Sequence, residues 1–360
     1  MIKILYKYII KIFAKIFLFT IAALSVVIIT SELFTYMPLY IEYKASFDAI
    51  LLHLISNLPE WLVQGLPIAT LLAVLFSIGN LSKKNEITAI KASGINTWRI
   101  ITLFLMTGFI IGLCDFAIRE FILPKTSLYA QDVKREKVKK EKTRIHTDFY
   151  NQIVSLPNHI KIIMGHFDTK ACTMKNVVVE KYNDNFTIKR LILAEKASWV
   201  NNTWILTNGV IRDFDINSWH EIYFKSHDSA IHVTPKDLTI EDIPYHAMNI
   251  RDFKKYINKL KVFGQTATKA KIILYIRFSA IFSHIIVMMI GIPFTIGFGS
   301  KLNKMLSFSL ALGVAFTYWG MQAITQAFGE NFILPVFLAA WLPNAIFSII
   351  GVYFLVKIRK

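Results

Sequence analysis

Three long apolar runs open the chain, Phe13–Thr30, Trp61–Leu81 and Ile100–Ala117, and three more close it, Ile272–Ile296, Met305–Ala327 and Phe332–Val356. Crossing a hydrocarbon core about 30 Å thick takes roughly 20 mostly apolar residues in a helix. Each run therefore predicts a transmembrane helix. Between Arg119 and Lys271 no comparable run occurs, and polar and apolar residues alternate over short distances as in a water-soluble domain. The first run starts basic and turns apolar like a signal peptide. It is too long for one, and no small-residue cleavage site follows it, so it reads as a retained helix.

Inside the polar middle, short β-rich runs predict strands: Phe149–Leu156, His159–Phe167, Met174–Tyr182, Phe186–Ala197, Thr203–Leu206 and Ile222–Lys225. Leu156-Pro157-Asn158, Asn183-Asp184-Asn185, Asn201-Asn202 and Asn208-Gly209 predict the turns between them. Strands so closely spaced, with no helix between, predict a sandwich, jelly roll or barrel with Ile188, Leu191, Leu193, Trp199 and Trp204 in its core. The charged run Gln131–Arg144 predicts a solvated helical extension of the third span, or a linker. Ile250, Phe253, Tyr256, Ile257 and Leu260 recur at helical spacing and predict an amphipathic helix resting on the membrane before the fourth span.

Composition and charge refine this picture. The chain is 54% hydrophobic, too apolar for an ordinary soluble domain. A net charge of +17 would point to nucleic acid in a soluble protein. Here the cations flank the spans or lie in the middle region and no nucleic-acid motif is present, so anionic lipid is the partner expected and nucleic acid is not. Short loops orient the spans through their Lys/Arg content. Lys3, Lys7, Lys11 and Lys15, then Lys83, Lys84, Lys91 and Arg99, then Lys301 and Lys304, and finally Lys357, Arg359 and Lys360 mark cytoplasmic segments. The loops holding Glu32, Glu42 and Asp48, and Glu330, belong outside, as does the 119–271 region. The first four lysines recur every fourth residue beside Ile2, Leu5, Ile9 and Ile12, which predicts an interfacial helix ahead of the first span. Cys114 falls in the third span and Cys172 in the middle region, so no disulfide and no zinc site are expected.

The motifs of soluble enzymes are missing. None of the 15 glycines precedes a lysine, so there is no Walker A motif, and Gly297-Phe298-Gly299-Ser300-Lys301 lacks the spacing. The histidines of the middle region, His146, His159, His166, His220, His227, His232 and His246, form no H-E-x-x-H pair, and no G-x-S-x-G elbow occurs. No cofactor and no metal are expected. Polar residues inside the spans are few. Arg277 and His284, seven apart, share a face of the fourth span, and Gln322 and Gln326 share one of the fifth. Arg277 lies near enough to the boundary to snorkel, and the sequence shows no deeply buried carboxylate of the kind an ion-coupled carrier needs.

The most informative segment is the loop after the second span, Lys83-Lys84-Asn85-Glu86-Ile87-Thr88-Ala89-Ile90-Lys91-Ala92-Ser93-Gly94. Ser82 or Asn85 suits a helix cap, Glu86 its first turn and Gly94 its stop. The product is a short cytoplasmic helix whose Ile87, Ala89 and Ile90 offer apolar surface, with Glu86 as a polar anchor, for a separate motor protein. This loop, E-I-T-x-x-K-A-S-G, resembles the signature of the LptF/LptG (YjgP/YjgQ) lipopolysaccharide-export permeases. Thr234-Pro235-Lys236-Asp237-Leu238, the Phe253–Gly264 helix, Pro67 and Pro343-Asn344 resemble the same family, and Tyr256–Gly264 with Gln265 stands closer to LptG.

The resemblance implies a membrane α-helical fold of six transmembrane helices with an inserted all-β extracytoplasmic jellyroll-like domain. Residues 1–118 hold the first three spans with a coupling helix at 83–94; residues 119–271 hold the jellyroll over about 147–235 and the amphipathic helix over about 250–264; residues 272–360 hold the last three spans. It further implies a half-transporter of the bacterial inner membrane. Its partners would be a homologous permease in a heterodimer, a cytoplasmic ATPase dimer, jellyroll bridge proteins of the periplasm, and lipopolysaccharide. Glu86, Ile87, Ala89, Ile90, Ser93 and Gly94 would couple to the ATPase; Lys44, Arg277, His284, Phe308 and Phe316 are the expected lipid contacts. One departure stands out: the outer end of the first span carries Glu32 and Glu42 with Lys44 as its one lysine, where LptG-type permeases carry lysines for lipid phosphates. An ion-coupled secondary transporter or a membrane assembly scaffold are the competing readings; the first predicts inverted repeats and intramembrane ion ligands.

Overall fold

The computed structural model describes residues 2–140, 148–156, 159–185, 187–215, 218–229, 233–235, 238, 244–262, 265–298 and 304–357. Two compact units emerge: residues 1–141, 244–253 and 268–360 form a helical unit, and residues 142–243 and 254–267 a second unit built around a sheet.

The helical unit comprises α1 (Ile2–Glu42), α2 (Phe47–Lys83), α3 (Glu86–Ala92), α4 (Thr97–Ala117), α5 (Leu123–Val133), the first turn of α6 (Ile250–Val262), α7 (Thr268–Phe298), α8 (Lys304–Glu330) and α9 (Val336–Lys357). Five helical stretches among the described residues are long and apolar enough to cross a membrane: Lys3–Glu42, Phe47–Lys83, Thr97–Val138, Thr268–Ile296 and Val336–Lys357. The fifth apolar run of the sequence lies on α8, 27 residues long. The most deeply packed helix is α2, apolar on every side. Its Leu71, Ala73, Val74, Leu75 and Ile78 are buried in one cluster with Ile9, Phe13, Ile101, Phe104, Met288, Ile292 and Leu355.

Two sequence expectations change here. The basic N-terminal stripe forms no separate surface helix. It is the start of one uninterrupted 41-residue helix, and Ile9 and Phe13 enter the core. At about 1.5 Å per residue, α1 is roughly 60 Å long, about twice the hydrocarbon thickness. The third span also exceeds its apolar run. From α4 the helix continues through a π turn at Ile118–Ile122, through α5, and through a second π turn at Lys134–Val138. The charged run 131–144 is helical through Val138, whose side chain is buried with Tyr40 and Ala49; residues 141–144 lie outside the described residues.

The second unit carries six antiparallel strands in sequence order: β1 (Asp148–Leu156), β2 (Ile160–Asp168), β3 (Thr173–Tyr182), β4 (Ile188–Val200), β5 (Thr203–Phe214) and β6 (Trp219–Ser229). Each overlaps one of the six predicted runs. One apolar layer holds it together, with Ile162, Met164, Phe167, Val177, Ala197, Trp204 and Leu206 at its centre. Trp204 and Trp199 are buried or half-buried there as expected, whereas Ile188 is exposed. Asn208-Gly209 is not a turn. It lies mid-strand in β5: Asn208 falls on a transverse row with Asn151, Gly165, Asn176, Glu195 and Lys225 that is missing from the pairing of all six strands, and Gly209 beside it pairs with Ala194 and Phe224. Asn151, Asn176 and Asn208 adopt φ of 50°, 53° and 51°. Across this row the period-two alternation slips by one, so that Met164 and Phe167, Met174 and Val177, and Ala194 and Ala197 face the same core. A strand that breaks its own alternation mimics a turn in sequence, which is why the sequence splits β5.

On α6, Phe253, Ile257 and Leu260 are buried. Its apolar stripe is therefore covered by protein rather than left free to rest on a membrane. The expected helix end at Gly264 and the stretch Lys236-Asp237 lie outside the described residues.

Candidate functional site

Three polar assemblies stand out in the helical unit. The first is the loop between α2 and α4. Asn85, at φ 58°, reverses the chain after α2, so α3 begins through backbone geometry, without the side-chain cap that Ser82 or Asn85 promised. The stop follows expectation. Gly94 adopts φ 79°, its N–H donates to Lys91 O at 3.0 Å, and Ile95 N–H reaches back to Ile90 O at 3.3 Å, the two bonds of a Schellman motif. The faces of α3 differ from the sequence reading. Ile87 is buried in the bundle core and Ile90 packs against it, so these two anchor α3 to the helical unit. The exposed face comprises Thr88, Ala89, Lys91, Ala92, Ser93 and Gly94. The Glu86 carboxylate accepts from Tyr8 Oη at 3.1 and 3.0 Å, which ties α3 to the start of α1.

The second assembly is buried between α2, α4 and α7. His284 is fully buried; its Nδ1 lies 3.1 Å from Thr70 Oγ1 and its Nε2 3.5 Å from Asp115 Oδ2. Asp115, 1% exposed, also accepts from Arg119 Nε at 3.1 and 3.2 Å. Close backbone approach makes room for these contacts. A Cβ at Gly112 would meet Ile281 O at 2.2 Å, and one at Gly108 would meet Met288 Sδ at 2.8 Å. The spacing Gly108-x-x-x-Gly112 is the small-residue pattern that lets membrane helices touch. Both the glycine spacing and a lone acid near the end of an apolar run were visible in the sequence, and neither entered the sequence reading. Arg277, 6% exposed, does not snorkel: it donates to Met248 O at 2.8 Å and lies 3.5 Å from Glu120. Asn344 adds a further link, accepting from Tyr318 Oη at 2.6 Å and donating to Ser279 O at 2.7 Å. Of the fifth-span glutamines, Gln326 donates to Glu330 at 2.9 Å.

The third assembly surrounds the turn between α1 and α2. Lys140 Nζ donates to Lys44 O at 3.1 Å, Lys134 sits 4.9 Å over the Tyr36 ring, and Lys139 sits 5.8 Å over that of Tyr43. Tyr40 Oη lies 2.7 Å from His53 Nδ1 beneath them. An open, largely apolar pocket of about 490 Å³ adjoins, lined by Ser46, Asp48, Leu51, Leu52, Ile55 and Lys137. The extension of the third span thus brings Lys134, Lys139 and Lys140 to the end of α1 that adjoins Lys44, a placement that sequence separation hid. The structure does not gather the expected lipid contacts into one place. Lys44 belongs to this patch, Arg277 and His284 are interior, Phe316 is exposed on α8, and the side chain of Phe308 lies outside the described residues. Among the described residues no group of three or more His, Cys, Asp or Glu is placed to hold a metal ion.

The chain is 20% identical over 314 residues to the lipopolysaccharide export system permease protein LptG of Haemophilus influenzae, covering 81% of each chain. It is 21% identical over 329 residues to the protein of the same name from Escherichia coli K12, covering 87% of this chain and 88% of that one. The profile of the family described as lipopolysaccharide export system permease LptF/LptG matches residues 7–357, across both units described above, and the chain belongs to that family.

Proposed function

We propose that the chain is the membrane subunit of an ATP-driven lipopolysaccharide exporter, with six spans, both termini and α3 in the cytoplasm, and the sheet unit, a jellyroll-like domain, in the periplasm. A cytoplasmic ATPase dimer docks on α3, a homologous permease completes the cavity, and the lipid passes to periplasmic jellyroll bridge proteins. One observation carries this reading: α3 is a short helix pinned to the bundle by Ile87 and Ile90, stopped by Gly94, and exposed along Thr88, Ala89, Ala92 and Ser93. A solvent-facing element locked to the bundle core is what a push from a separate motor requires. An acyl chain costs about 0.8 kcal/mol per CH₂ exposed to water, so extraction needs such a motor.

The two faces of α3 separate in mutagenesis. Glu86→Ala and Ala92→Arg are expected to lower co-purification with the ATPase and export-coupled ATP hydrolysis while the chain still accumulates. Ile87→Ala should lower accumulation itself, since emptying a buried apolar site costs about 2–5 kcal/mol. Export at the parental rate by both Glu86→Ala and Ala92→Arg would remove α3 as the docking element.

At the other end of the helical unit, Lys137 lines an apolar pocket beside the turn that carries Lys44, where Lys140 and Lys134 make their contacts, a combination suited to a lipid phosphate above acyl chains. Each lysine near an anionic surface contributes about 1 kcal/mol. Lys134→Gln/Lys137→Gln/Lys140→Gln is expected to weaken lipopolysaccharide binding by at least tenfold in detergent, with a dephosphorylated lipopolysaccharide insensitive to the change. Equal loss for both lipids would show that the lysines do not read phosphate.

Ion-coupled transport gains a buried carboxylate in Asp115. That group is already committed to Arg119 and His284, whereas a carrier carboxylate must exchange its partners for the ion.

A further inference from the structure

Asp115 and Glu120 would project about 140° apart in an unbroken α-helix. The π turn at Ile118–Ile122, closed by Leu123 N–H donating to Ile118 O, inserts a residue and moves position i+5 toward the place of i+4. Both carboxylates then meet α7, where His284 and Arg277 lie about two turns apart on one face. The outer rung reaches beyond α7. Glu120 accepts from Ile250 N–H with both oxygens at 3.1 Å, and Ile250 is the first residue of α6. An acid there meets the unpaired N–H groups and the positive end of the helix. Arg277 donates to Met248 O at 2.8 Å and to Tyr245 O at 3.3 Å, and its guanidinium lies 5.0 Å from the centre of the Phe253 ring.

We infer that Glu120 and Arg277 form a latch that fixes residues 245–253, including the first turn of α6, to the π turn below α4, and that they act as positioning residues in export. A buried ion pair is a poor device for stability alone, because apolar residues of the same volume often do as well. It is a good device for holding one arrangement, since displacing residues 245–250 would take the Ile250 N–H from the carboxylate and the Met248 and Tyr245 carbonyls from the guanidinium together. Phe253 is the last residue of this stretch in the helical unit, and the next residue of α6, Lys254, already belongs to the sheet unit. A displacement of α4 or α7 is therefore imposed on the segment of chain that leads into the sheet unit. The latch as a structure stands on these contacts; its part in export rests on the proposed function.

Trypsin gives a local reading on the full-length chain in detergent, because Arg251, Lys254 and Lys255 are exposed on α6. Glu120→Ala and Arg277→Lys are expected to raise the cleavage rate at these three bonds about tenfold, the loss of hydrogen bonds to a charged group. Glu120→Gln should raise it less, because the amide oxygen still accepts from Ile250 N–H. Thermal unfolding and cleavage elsewhere should stay near parental. Where Glu120→Ala fails to accumulate, Glu120→Gln and Arg277→Lys provide the same reading. In vesicles with the ATPase, Arg277→Lys is expected to hydrolyse ATP normally and transfer less lipopolysaccharide per ATP. Parental cleavage in the folded variants overturns the latch. Faster cleavage with unchanged transfer per ATP overturns its role in export. Absence of any ATP-driven transfer by the parental chain would count against the exporter reading and leave the proteolysis result standing.

Discussion

Leucine at position 112 is expected to remove the folded chain from the membrane. The argument is one of distance. A Cβ on Gly112 would lie 2.2 Å from the Ile281 carbonyl oxygen and 3.0 Å from its carbon, both backbone atoms of α7 that no rotamer change can move. The helices would have to part by about 1 Å, and overpacking of that kind costs about 1–3 kcal/mol even where side chains absorb it. Parting α4 from α7 also lengthens the 3.5 Å contact between Asp115 and His284 in a place that water does not reach. Leaving one member of a buried pair unmatched costs a further 3–5 kcal/mol or so. Against a total stability of about 5–15 kcal/mol, the two losses together are severe. Gly313 on α8 is the control: nothing lies within 4 Å of a Cβ built there, so Gly313→Leu should accumulate normally. Membrane-fraction yield and size-exclusion behaviour separate the two. Parental yield and elution for Gly112→Leu would show that α4 and α7 are not in backbone contact.

The contrast between those glycines marks what the sequence could and could not reveal. Length and apolarity located the membrane helices, because hydrocarbon demands a continuous apolar run whatever the packing. Gly94 was legible for a local reason: a short helix followed by glycine and a new apolar run calls for a left-handed stop. Side-chain partners were not legible. Ile87 reads as exposed in a polar loop, and its burial depends on α1 and α2 arriving from elsewhere in the chain. Asp115 was passed over because an acid close to the end of an apolar run resembles a boundary residue; only the continuation of the helix beyond Ala117 places it inside. The lysine patch was hidden for the same reason. Lys134 and Lys140 lie about 90 residues from Lys44, and a helix carried through two π turns brings them together. In the sheet unit, alternation identified every strand but failed where three asparagines take positive φ, since a pattern of period two carries no sign of a slip that the core tolerates.

Gly209, next to that slip, has a neighbouring strand close on either side, and Gly209→Val is expected to unfold the sheet unit. A Cβ at Gly209 would meet Leu193 O on β4 at 2.2 Å and Phe224 Cζ on β6 at 2.5 Å. The glycine is squeezed from both neighbouring strands one residue past the row where the ladder is interrupted, paired with Ala194 and Phe224. Valine adds two further carbons, so β5 must leave one partner or both, and the burial of Trp204 and Leu206 two turns of the pleat away depends on that pairing. The cost should exceed about 3 kcal/mol, the range of a core change with no room to relax. The asparagines of the adjacent, interrupted row predict the opposite sensitivity. Asn176 holds φ 53°, a conformation glycine adopts without steric penalty, so Asn176→Gly should be near neutral, within about 1 kcal/mol. Asn176→Val, branched at Cβ and disfavoured at positive φ, should cost about 1–2 kcal/mol or more. Limited proteolysis of the full-length chain, scored on fragments from residues 148–229, ranks the three variants. If Gly209→Val resists protease as the parent does while Asn176→Gly becomes labile, the transverse row is not what sets the alternation of this sheet.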